Sequence, residues 1–504
     1  MLQHHTVIVG SGFSGLGTAI RMKKAGLDDF IILERAQEVG GTWRENTYPG
    51  AACDVPSHVY SFSFAPSNKW SRKFAPQREI LEYLKDCADR FDLRRHIRFR
   101  SHVESAVFDE NTGLWTLSIS GGLTIQARYF ILASGGLSRP SYPKIEGLCS
   151  FEGALFHTAE WRHDYALKGK KVAVIGTGAS AIQVVPAIAP EVGELKLFQR
   201  TPAWILPKDD FSFSQVQRRR LESWPLLGKL LRTAFYWQFE FRALGLLKPQ
   251  LIKQTQKVAE HIIKRKVHDP EVQKKLTPDY TMGCKRILLS NDFYPTFNQK
   301  HVHLVSEGIE RVTAKGVVSK DGVEHEVDAI ICATGFQVAE ACAPFPIIGR
   351  EGKDLAQEWQ HGAEAYLGTT VHGFPNMFIV IGPNTGLGHN SIVFMVESQV
   401  NYIVDAMQKL SKKGAKSTEV KAEVQKDYND GLQERFKGTV WATGGCVSWY
   451  HDAKGRNTTL FPGFSWQLRL KTLRFDIAAY TVIPVEGRDA LPNKGGEVLE
   501  PAAS

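Results

Sequence analysis

The sequence has few cysteines: seven among 504 residues, scattered, with no two of them in a CxxC pair. This spacing argues against a disulfide reductase, which needs a paired redox cysteine, and it predicts free thiols in a reducing compartment. There is also no uninterrupted apolar run of about 18 residues, and no charged leader precedes the first apolar segment. We therefore expect a cytoplasmic protein without a signal peptide or an integral membrane segment.

Other familiar signatures are missing as well. The sequence contains neither a GxSxG elbow nor an HExxH helix, so two common hydrolase chemistries are excluded. His301 and His303 share a strand face but have no carboxylate or cysteine support, and we expect no metal site. The net charge of +9 is modest for this length; it suits an anionic cofactor and does not indicate a nucleic-acid partner.

What is abundant is glycine, with 44 residues, and it is concentrated in telling places. An apolar run over residues 5–10 leads into GSGFSG, then a helical stretch, then a second apolar run that ends at Glu34. This order of strand, GxGxxG, helix, strand and acid is typical of a dinucleotide-binding βαβ unit. The helix N-terminus would face the phosphates with unpaired N–H groups. The candidate contacts in this unit are Gly10, Gly12, Phe13, Ser14, Gly15 and Glu34.

The same pattern returns at residues 171–200, where KVAVI leads into GTGASA. Arg200 lies 24 residues beyond the first glycine of this unit, the register that Glu34 occupies in the first unit. A carboxylate there accepts hydrogen bonds from a free ribose, whereas a guanidinium suits a 2′-phosphate. We therefore assign FAD to the first unit and NADPH to the second. The candidate NADP contacts are Gly176, Thr177, Gly178, Ala179, Ser180, Ala181, Gln183, Arg200, Thr201 and Lys285.

Two further apolar strands, 127–133 and 328–333, each close in a small-residue turn and resemble the return strands of such units. The predicted fold class is α/β, with two Rossmann-like domains and the NADP domain inserted in a discontinuous FAD domain. The expected bounds are 1–145 and 336–484 for FAD and 146–335 for NADP, with a helical insertion at about 212–270. An amphipathic packing role is favoured for its aromatic part, 224–247, over contact with a membrane surface or a substrate channel. Residues 485–504 are predicted to be a disordered tail.

Two longer motifs identify the chemistry. Residues 151–161 read FxGxxxHxxxW, and residues 40–54 read GGxWxxxxYPGxxxD. With both motifs the sequence resembles the type I Baeyer–Villiger monooxygenases over roughly residues 5–480. It departs from the family at Arg162, where proline or aspartate is usual, and at Ala52, where many members have arginine. Further candidate FAD contacts are Thr42, Trp43, Asp54, Val55, Tyr60 and Val103, and the linker motif contributes Phe151, Gly153, His157 and Trp161.

The resemblance implies roles for particular residues. The segment 283–298 is similar to the family stretch in which a Lys-Arg pair reaches the flavin and NADP, so Arg286 is implied as the catalytic arginine. It would keep a flavin C4a-peroxide anionic while that peroxide attacks a ketone, and Asp54 would orient it. His157 is implied to act in the interdomain linker rather than in proton transfer. Trp449 is either a pocket residue or a core aromatic.

The implied function is an NADPH- and O2-consuming, FAD-dependent conversion of small ketones to esters or lactones, with sulfoxidation as a side activity. An amine or sulfide oxygenase and an uncoupled NADPH oxidase remain as alternatives. The sequence leaves open the physiological ketone, the regiochemistry and the oligomeric state.

Overall fold

The computed structural model describes residues 2–337, 343–446, 448–452 and 454–484. The predicted tail, 485–504, lies outside these residues. In chain order the strands are β1 (Leu2–Val9), β2 (Phe30–Leu33), β3 (Ile97–Arg98), β4 (Val103–Asp109), β5 (Leu114–Ile119), β6 (Leu123–Leu132), β7 (Ala154–His157), β8 (Lys171–Ile175), β9 (Glu194–Phe198), β10 (Ile205–Leu206), β11 (Leu288–Leu289), β12 (Val302–Val305), β13 (Ile309–Val312), β14 (Gly316–Ser319), β15 (Glu324–Glu326), β16 (Ala329–Cys332), β17 (Ile347–Ile348), β18 (Met377–Ile379), β19 (Ala415–Val420) and β20 (Tyr480–Pro484).

The helices connect and cover these strands. In chain order they are α1 (Phe13–Lys24), α2 (Thr42–Glu45), α3 (Gln77–Arg90), α4 (Ala181–Ile188), α5 (Gln215–Ser223), α6 (Pro225–Glu240), α7 (Ala243–Leu247), α8 (Pro249–Lys266), α9 (Pro270–Leu276), α10 (Phe293–Thr296), α11 (Leu355–Glu358), α12 (Ile392–Lys412), α13 (Ala422–Phe436), α14 (Val440–Thr443) and α15 (Ser465–Lys471). Short 3-10 turns lie at Arg94–His96, Leu148–Ser150, Thr158–Glu160, Arg350–Gly352 and Ile477–Ala479. No helix among the described residues is long and apolar enough to cross a membrane.

The larger sheet draws its strands from both ends of the chain. Its order is β17-β4-β5-β6-β1-β2-β3, with β18 also pairing with β6. β1 runs parallel to β2 and β6, while β5 is antiparallel to β4 and β6. Strands β17 and β18 come from residues 347–379, so the chain returns to this sheet after a long excursion. The C-terminal ends of β1 and β6 are buried on both faces, which explains the unbroken apolar runs at residues 7–9 and 130–132.

The excursion forms a second, smaller sheet in the order β12-β9-β8-β16-β7, in which every pair is parallel. Both sheets therefore have a central strand that leads into a glycine-rich turn, β1 in the larger and β8 in the smaller. Each central strand is flanked by its predicted return strand, β6 and β16 respectively. This arrangement is the duplication that the sequence predicts.

The helical insertion is made of four helices, α5 to α8, rather than one continuous helix. Pro225 and Pro249 stand at the first positions of α6 and α8, where a missing backbone N–H costs nothing, and they divide the segment. α5 begins with a capping box between Ser214 and Gln217. Part of each long helix packs inward, and the rest of its surface is exposed.

Candidate functional site

The glycine turns of the two units make equivalent backbone contacts. Gly10 and Gly176 have positive φ angles of 104° and 117°. A Cβ atom on Gly10 would lie 2.6 Å from the carbonyl oxygen of Ala133, and one on Gly176 would lie 2.4 Å from that of Ala333. Because each turn touches the end of its return strand, no side chain can replace these glycines without moving the backbone.

The second glycine of each turn is less tightly enclosed. The nearest atoms to a Cβ on Gly12 belong to the backbone of Gly41, at 3.6 Å, and none lies within 4 Å of one on Gly178. The N-termini of α1 and α4 follow directly. The absence of a side chain there leaves room for a pyrophosphate beside unpaired backbone N–H groups. The residues present therefore fit a dinucleotide at both turns.

Glu34 is buried where β2 ends, and its carboxylate is already well supplied with partners. One oxygen accepts from the backbone N–H and the hydroxyl of Ser11, at 3.0 and 2.6 Å. The other accepts from the N–H of Ala36 at 2.9 Å and lies 3.3 Å from the Arg44 guanidinium. A carboxylate has about four acceptor positions. A ribose hydroxyl that binds the Glu34 carboxylate would thus replace a contact from Ser11 or Arg44. The sequence motif alone does not show that these side chains compete with the ribose.

Arg200 and Lys285 lie close enough to act on each other although 85 positions separate them in the sequence. Burial, together with the neighbouring Arg200 guanidinium, lowers the pKa of Lys285. Among the described residues neither cation has a carboxylate within ion-pair distance, as the ion pairs of this part of the chain all involve other groups. Thr201 adjoins them, and its carbonyl accepts from the Thr177 hydroxyl at 2.7 Å. Two cations that act on each other and form no ion pair among the described residues could hold an anion such as a 2′-phosphate.

Gln183, a candidate NADP contact, joins the two units. Its side-chain carbonyl accepts from the Tyr48 hydroxyl at 2.9 Å, and its amide donates to the carbonyl of Ala52 at 2.9 Å. A Cβ on Gly50 would lie 2.7 Å from the Gln183 backbone oxygen, so the loop of the YPG motif approaches α4 closely. The Ala52 departure leaves this contact intact because the loop uses its backbone. The motif at 40–54 therefore contributes to the interface between the two units.

Asp54 and Arg286 form an ion pair where these segments meet. The Nε and Nη2 atoms of Arg286 donate to the same oxygen, Oδ2 of Asp54, at 3.0 and 2.6 Å. Nη1 makes only a long contact, 3.4 Å, to the carbonyl of Leu387. The two side chains are 36% and 26% exposed, so the pair is open to a ligand. The structure brings these two predicted catalytic residues together from positions 232 apart in the sequence.

The electrostatics of this pair favour the charged form of both groups. Burial alone would raise the pKa of Asp54, but Arg286 and, more weakly, Lys208 lower it below its ordinary value. Asp54 in turn raises the pKa of Arg286. Lys208 and Arg242 also feel the charge of Asp54. Sequence reasoning missed these two cations because no motif surrounds them and only the fold brings them near Asp54.

Aromatic side chains form one wall near the first glycine turn. The indole N–H of Trp43 donates to the Tyr60 hydroxyl at 3.2 Å, and the Phe13 ring meets Tyr60 edge-on with centroids 5.2 Å apart. Thr42 begins α2 beside them, and Val55 is buried in the adjoining core. Val103 is the buried first residue of β4, and the chain just before it bonds the first unit, since the N–H of Ser101 donates to the Glu34 backbone carbonyl at 2.9 Å. Val103 is not part of the aromatic wall, and its contact with FAD stays a prediction.

The linker motif is explained by packing. Phe151 and Gly153 are in contact, and a Cβ on Gly153 would lie 2.5 Å from the Phe151 ring. His157 is fully buried; its Nδ1 accepts from the N–H of Ala159 at 3.1 Å and caps a 3-10 turn, and burial lowers its pKa. Trp161 meets Phe156 edge-on at 5.2 Å. These are packing contacts, and His157 is the last residue of β7 in the smaller sheet; the linker role of His157 stays a prediction.

One prediction about the cysteines is wrong. Cys284 and Cys446 form a disulfide across 162 residues, so not all seven thiols are free. The spacing of the cysteines in the sequence does not predict this bond, because the two residues meet only through the packing of α7, α8 and α14 around the 280–284 segment. Cys53, Cys87 and Cys332 are buried free thiols, and Cys149 is an exposed one. The bond ties the segment before Arg286 to the loop that carries Trp449, whose side chain is 59% exposed.

Two dinucleotide turns, one followed by an acid and the other by a basic pair, define an oxidoreductase that uses two nucleotide cofactors. The Arg286 guanidinium lies where the two units meet, paired with Asp54. A family model described as pyridine nucleotide-disulphide oxidoreductase matches residues 7–224. The chain has no CxxC pair to perform that disulfide chemistry, so the match reflects the shared nucleotide-binding fold.

Comparison with individual proteins is more specific. A Pseudomonas aeruginosa protein named Baeyer-Villiger monooxygenase is 50% identical over 497 residues, which are 98% of this chain and 94% of that protein. A Streptomyces coelicolor protein of the same name is 45% identical and is covered to 92%, with 94% of this chain matched. A solved structure of an oxidised steroid monooxygenase bound to NADP has a TM-score of 0.85 at 32% identity, over 96% of this chain and all of that one.

The chain therefore belongs to the Baeyer–Villiger monooxygenases. It is an NADPH-dependent flavoprotein monooxygenase, and the predicted fold class, enzyme class and pair of cofactors, FAD and NADPH, are confirmed.

Proposed function

We propose that this enzyme oxidises small ketones to esters or lactones at the Asp54–Arg286 pair, with sulfoxidation as a side activity. The observation that carries the proposal is a guanidinium held by a carboxylate where the two nucleotide-binding units meet. When bound, the reduced flavin activates O2 and supplies the oxygen atom that is inserted beside the ketone carbonyl. The protein has to place the ketone, exclude water and stabilise negative charge.

We assign FAD to residues 1–145 and 336–484 and NADP to residues 146–335. The acid in the first unit and the basic pair in the second support this assignment. Glu34 offers a carboxylate to a ribose, although Ser11 and Arg44 must make room for it. Arg200 and Lys285 offer two cations to the additional phosphate of NADPH.

Arg286 supplies a permanent positive charge. Asp54 occupies Nε and Nη2, which fixes the plane of the guanidinium and leaves Nη1 as the donor least engaged by the protein. That N–H is suited to an oxygen atom on which negative charge develops during attack on the ketone. Because Asp54 raises the pKa of Arg286 further, the cation cannot lose its proton near neutral pH. A lysine here would be a point charge without a fixed plane.

We further propose that the enzyme acts in the cytoplasm. Three buried free thiols, Cys53, Cys87 and Cys332, suit a reducing compartment, whereas the Cys284–Cys446 bond does not. Mass spectrometry of the protein purified without reductant, with thiols blocked at lysis, tests this. A fully oxidised Cys284–Cys446 pair at lysis would contradict a reducing compartment.

One experiment separates the proposed reaction from its alternatives. Purified holoenzyme is given NADPH with a panel of ketones, with a sulfide, with an amine, or with no substrate, and the products are identified by mass spectrometry. We expect ester or lactone in proportion to the NADPH consumed. Oxygenation of the amine or sulfide without any ester would indicate an N- or S-oxygenating enzyme. Hydrogen peroxide as the sole product throughout the panel would indicate an NADPH oxidase.

A further inference from the structure

The net positive charge of the helical insertion equals the net positive charge of the whole chain. Residues 215–266 contain twelve lysines and arginines and three glutamates, so their net charge of +9 equals that of all 504 residues. The remainder of the protein is therefore neutral overall. Such concentration of charge in one segment indicates a partner of opposite sign for that segment rather than a general effect on solubility.

The insertion also exposes an unusual number of large apolar side chains. On α6, Leu226, Leu230 and Trp237, with Phe241 just beyond, recur at intervals of four, seven and four residues, which places them on one side of the helix. Their exposed fractions are 68%, 60%, 44% and 61%. Trp224, at the start of α6, is 70% exposed. We call this stripe, together with Leu227, the apolar face of α6.

This face is held in a fixed orientation by the opposite side of the helix. Phe235 and Phe239 are buried there, and Glu240 is buried at the end of the helix. Glu240 accepts from the Ser465 hydroxyl at 2.8 Å and from the Asn390 amide at 2.6 Å. Arg232 donates to the backbone carbonyl of Ser61 at 2.8 Å. The exposed stripe is thus the outer surface of a well-anchored helix.

Basic side chains surround the apolar face. Lys229 lies on α6, Arg219 and Arg220 precede it on α5, and Lys248 and Lys253 follow it at the start of α8. All five are exposed, and within the described part of the chain none has a carboxylate at ion-pair distance. Helices that lie in the interface of an anionic bilayer typically combine exposed tryptophan and leucine side chains with unpaired lysines and arginines around them.

We propose that the apolar face of α6 and its basic surround dock this protein peripherally on an anionic lipid surface. The aromatic and leucine side chains would enter the headgroup region while the cations contact lipid phosphates. A second copy of the chain is a poorer occupant, because two identical faces would bring the same unpaired cations against one another. The hydrogen bonds and the ion pair of Asp54 and Arg286 described above involve no residue of this surface, and the proposal does not depend on the reaction assigned to that pair.

The test is vesicle flotation of the full-length holoenzyme. Vesicles of phosphatidylcholine alone are compared with vesicles in which about one third of the lipid is phosphatidylglycerol, at about 0.1 M salt. We expect at least about tenfold greater partitioning onto the anionic vesicles and a loss of most of that binding at about 0.5 M salt. Leu230→Ala/Trp237→Ala and, separately, Lys229→Gln/Lys253→Gln should each reduce binding by about tenfold or more.

A matched control removes exposed apolar side chains elsewhere. Val107 on β4 and Val323 between β14 and β15 are 43% and 49% exposed, and Val107→Ala and Val323→Ala should each bind vesicles like the wild type. Flavin content and circular dichroism identify any variant that fails to fold; Leu230→Gln/Trp237→Gln then replaces the first. Equal binding to both vesicle types, or none to either, would overturn the proposal. So would light scattering that shows a dimer disrupted by Leu230→Ala/Trp237→Ala, since the face would then serve self-association.

Discussion

Replacing Arg286 by alanine should separate NADPH consumption from ketone oxidation. The variant loses both donors to Asp54 and the lightly engaged Nη1. Loss of one donor to a developing oxyanion typically lowers a rate by about 10²–10³. Ester formation should therefore fall at least about a hundredfold. Flavin reduction by NADPH depends mainly on how the two rings stack, so its rate should fall by no more than about tenfold.

The measurements are stopped-flow absorbance of the flavin, chromatography of the ester and a peroxide assay. Hydrogen peroxide should account for most of the NADPH that the variant consumes. Arg286→Lys should retain part of the activity, because it keeps the charge and loses the planar fork. Arg350→Ala serves as the control: Arg350 pairs with Glu419 and is 31% exposed, close to the 36% of Arg286, but it lies in the turn after β17.

Two results would refute the reasoning. Ester formation by Arg286→Ala at a rate near that of the wild type would remove Arg286 from the reacting centre. Failure of the variant to retain FAD, with Arg350→Ala retaining it normally, would show that Arg286 maintains the flavin site and that another cation supports the reaction. Lys208 and Arg242 would then be the residues to replace next, since both feel the charge of Asp54.

Three further predictions follow from the same structure. Arg200→Ala should raise the KM for NADPH at least about tenfold and leave that for NADH nearly unchanged, since a charge-assisted hydrogen bond contributes about 1.5–3 kcal/mol. The control is Lys196→Ala on β9, the strand that ends two residues before Arg200, where Lys196 pairs with Glu194. Equal effects from both variants would exclude Arg200 from the site. Glu34→Ala should release FAD on gel filtration while the preference for NADPH persists, and a lost preference instead would mean that the two cofactor assignments are exchanged. Because the folded pKa of Asp54 lies below its unfolded value, its contribution to stability is complete above about pH 4 and is lost at lower pH. The difference in free energy of unfolding between wild type and Asp54→Asn should therefore be constant near neutrality and shrink below about pH 4. A difference that shrinks between about pH 5 and 7 would contradict the lowered pKa.

The parts of the fold that the sequence predicts are those governed by local pattern. The turns at Gly10 and Gly176, their flanking strands and the helical character of 215–266 all follow from spacing and composition, and the structure confirms them. The division of the insertion into four helices is not predicted, although Pro225 and Pro249 signal two of its three boundaries; the break between α6 and α7 has no proline. Each proline fits the first position of a helix and so ends the preceding one.

The parts that were missed depend on contacts between distant segments. The amide of Gln183 reaches Ala52 across 131 positions, and nothing near either residue announces that contact. The hydrogen bond from Ser11 to Glu34, which would compete with a ribose, also depends on side-chain positions that the sequence does not predict. The Arg286–Asp54 pair was predicted only because both segments resemble stretches of a known family. Without that resemblance, a lysine-arginine pair would most often be read as a solvated surface.

The bond between Cys284 and Cys446 turns part of the chain into a closed ring. The ring spans 162 positions and contains strands of both sheets, from β11 to β19. By chain statistics, closing a ring of this size removes unfolded-state entropy equivalent to about 5 kcal/mol at 25 °C. Oxidised and reduced molecules with the same fold would therefore differ in their resistance to heat. The half-life of the enzyme at elevated temperature should therefore depend on whether its surroundings oxidise or reduce this bond, and the closed ring includes Arg286.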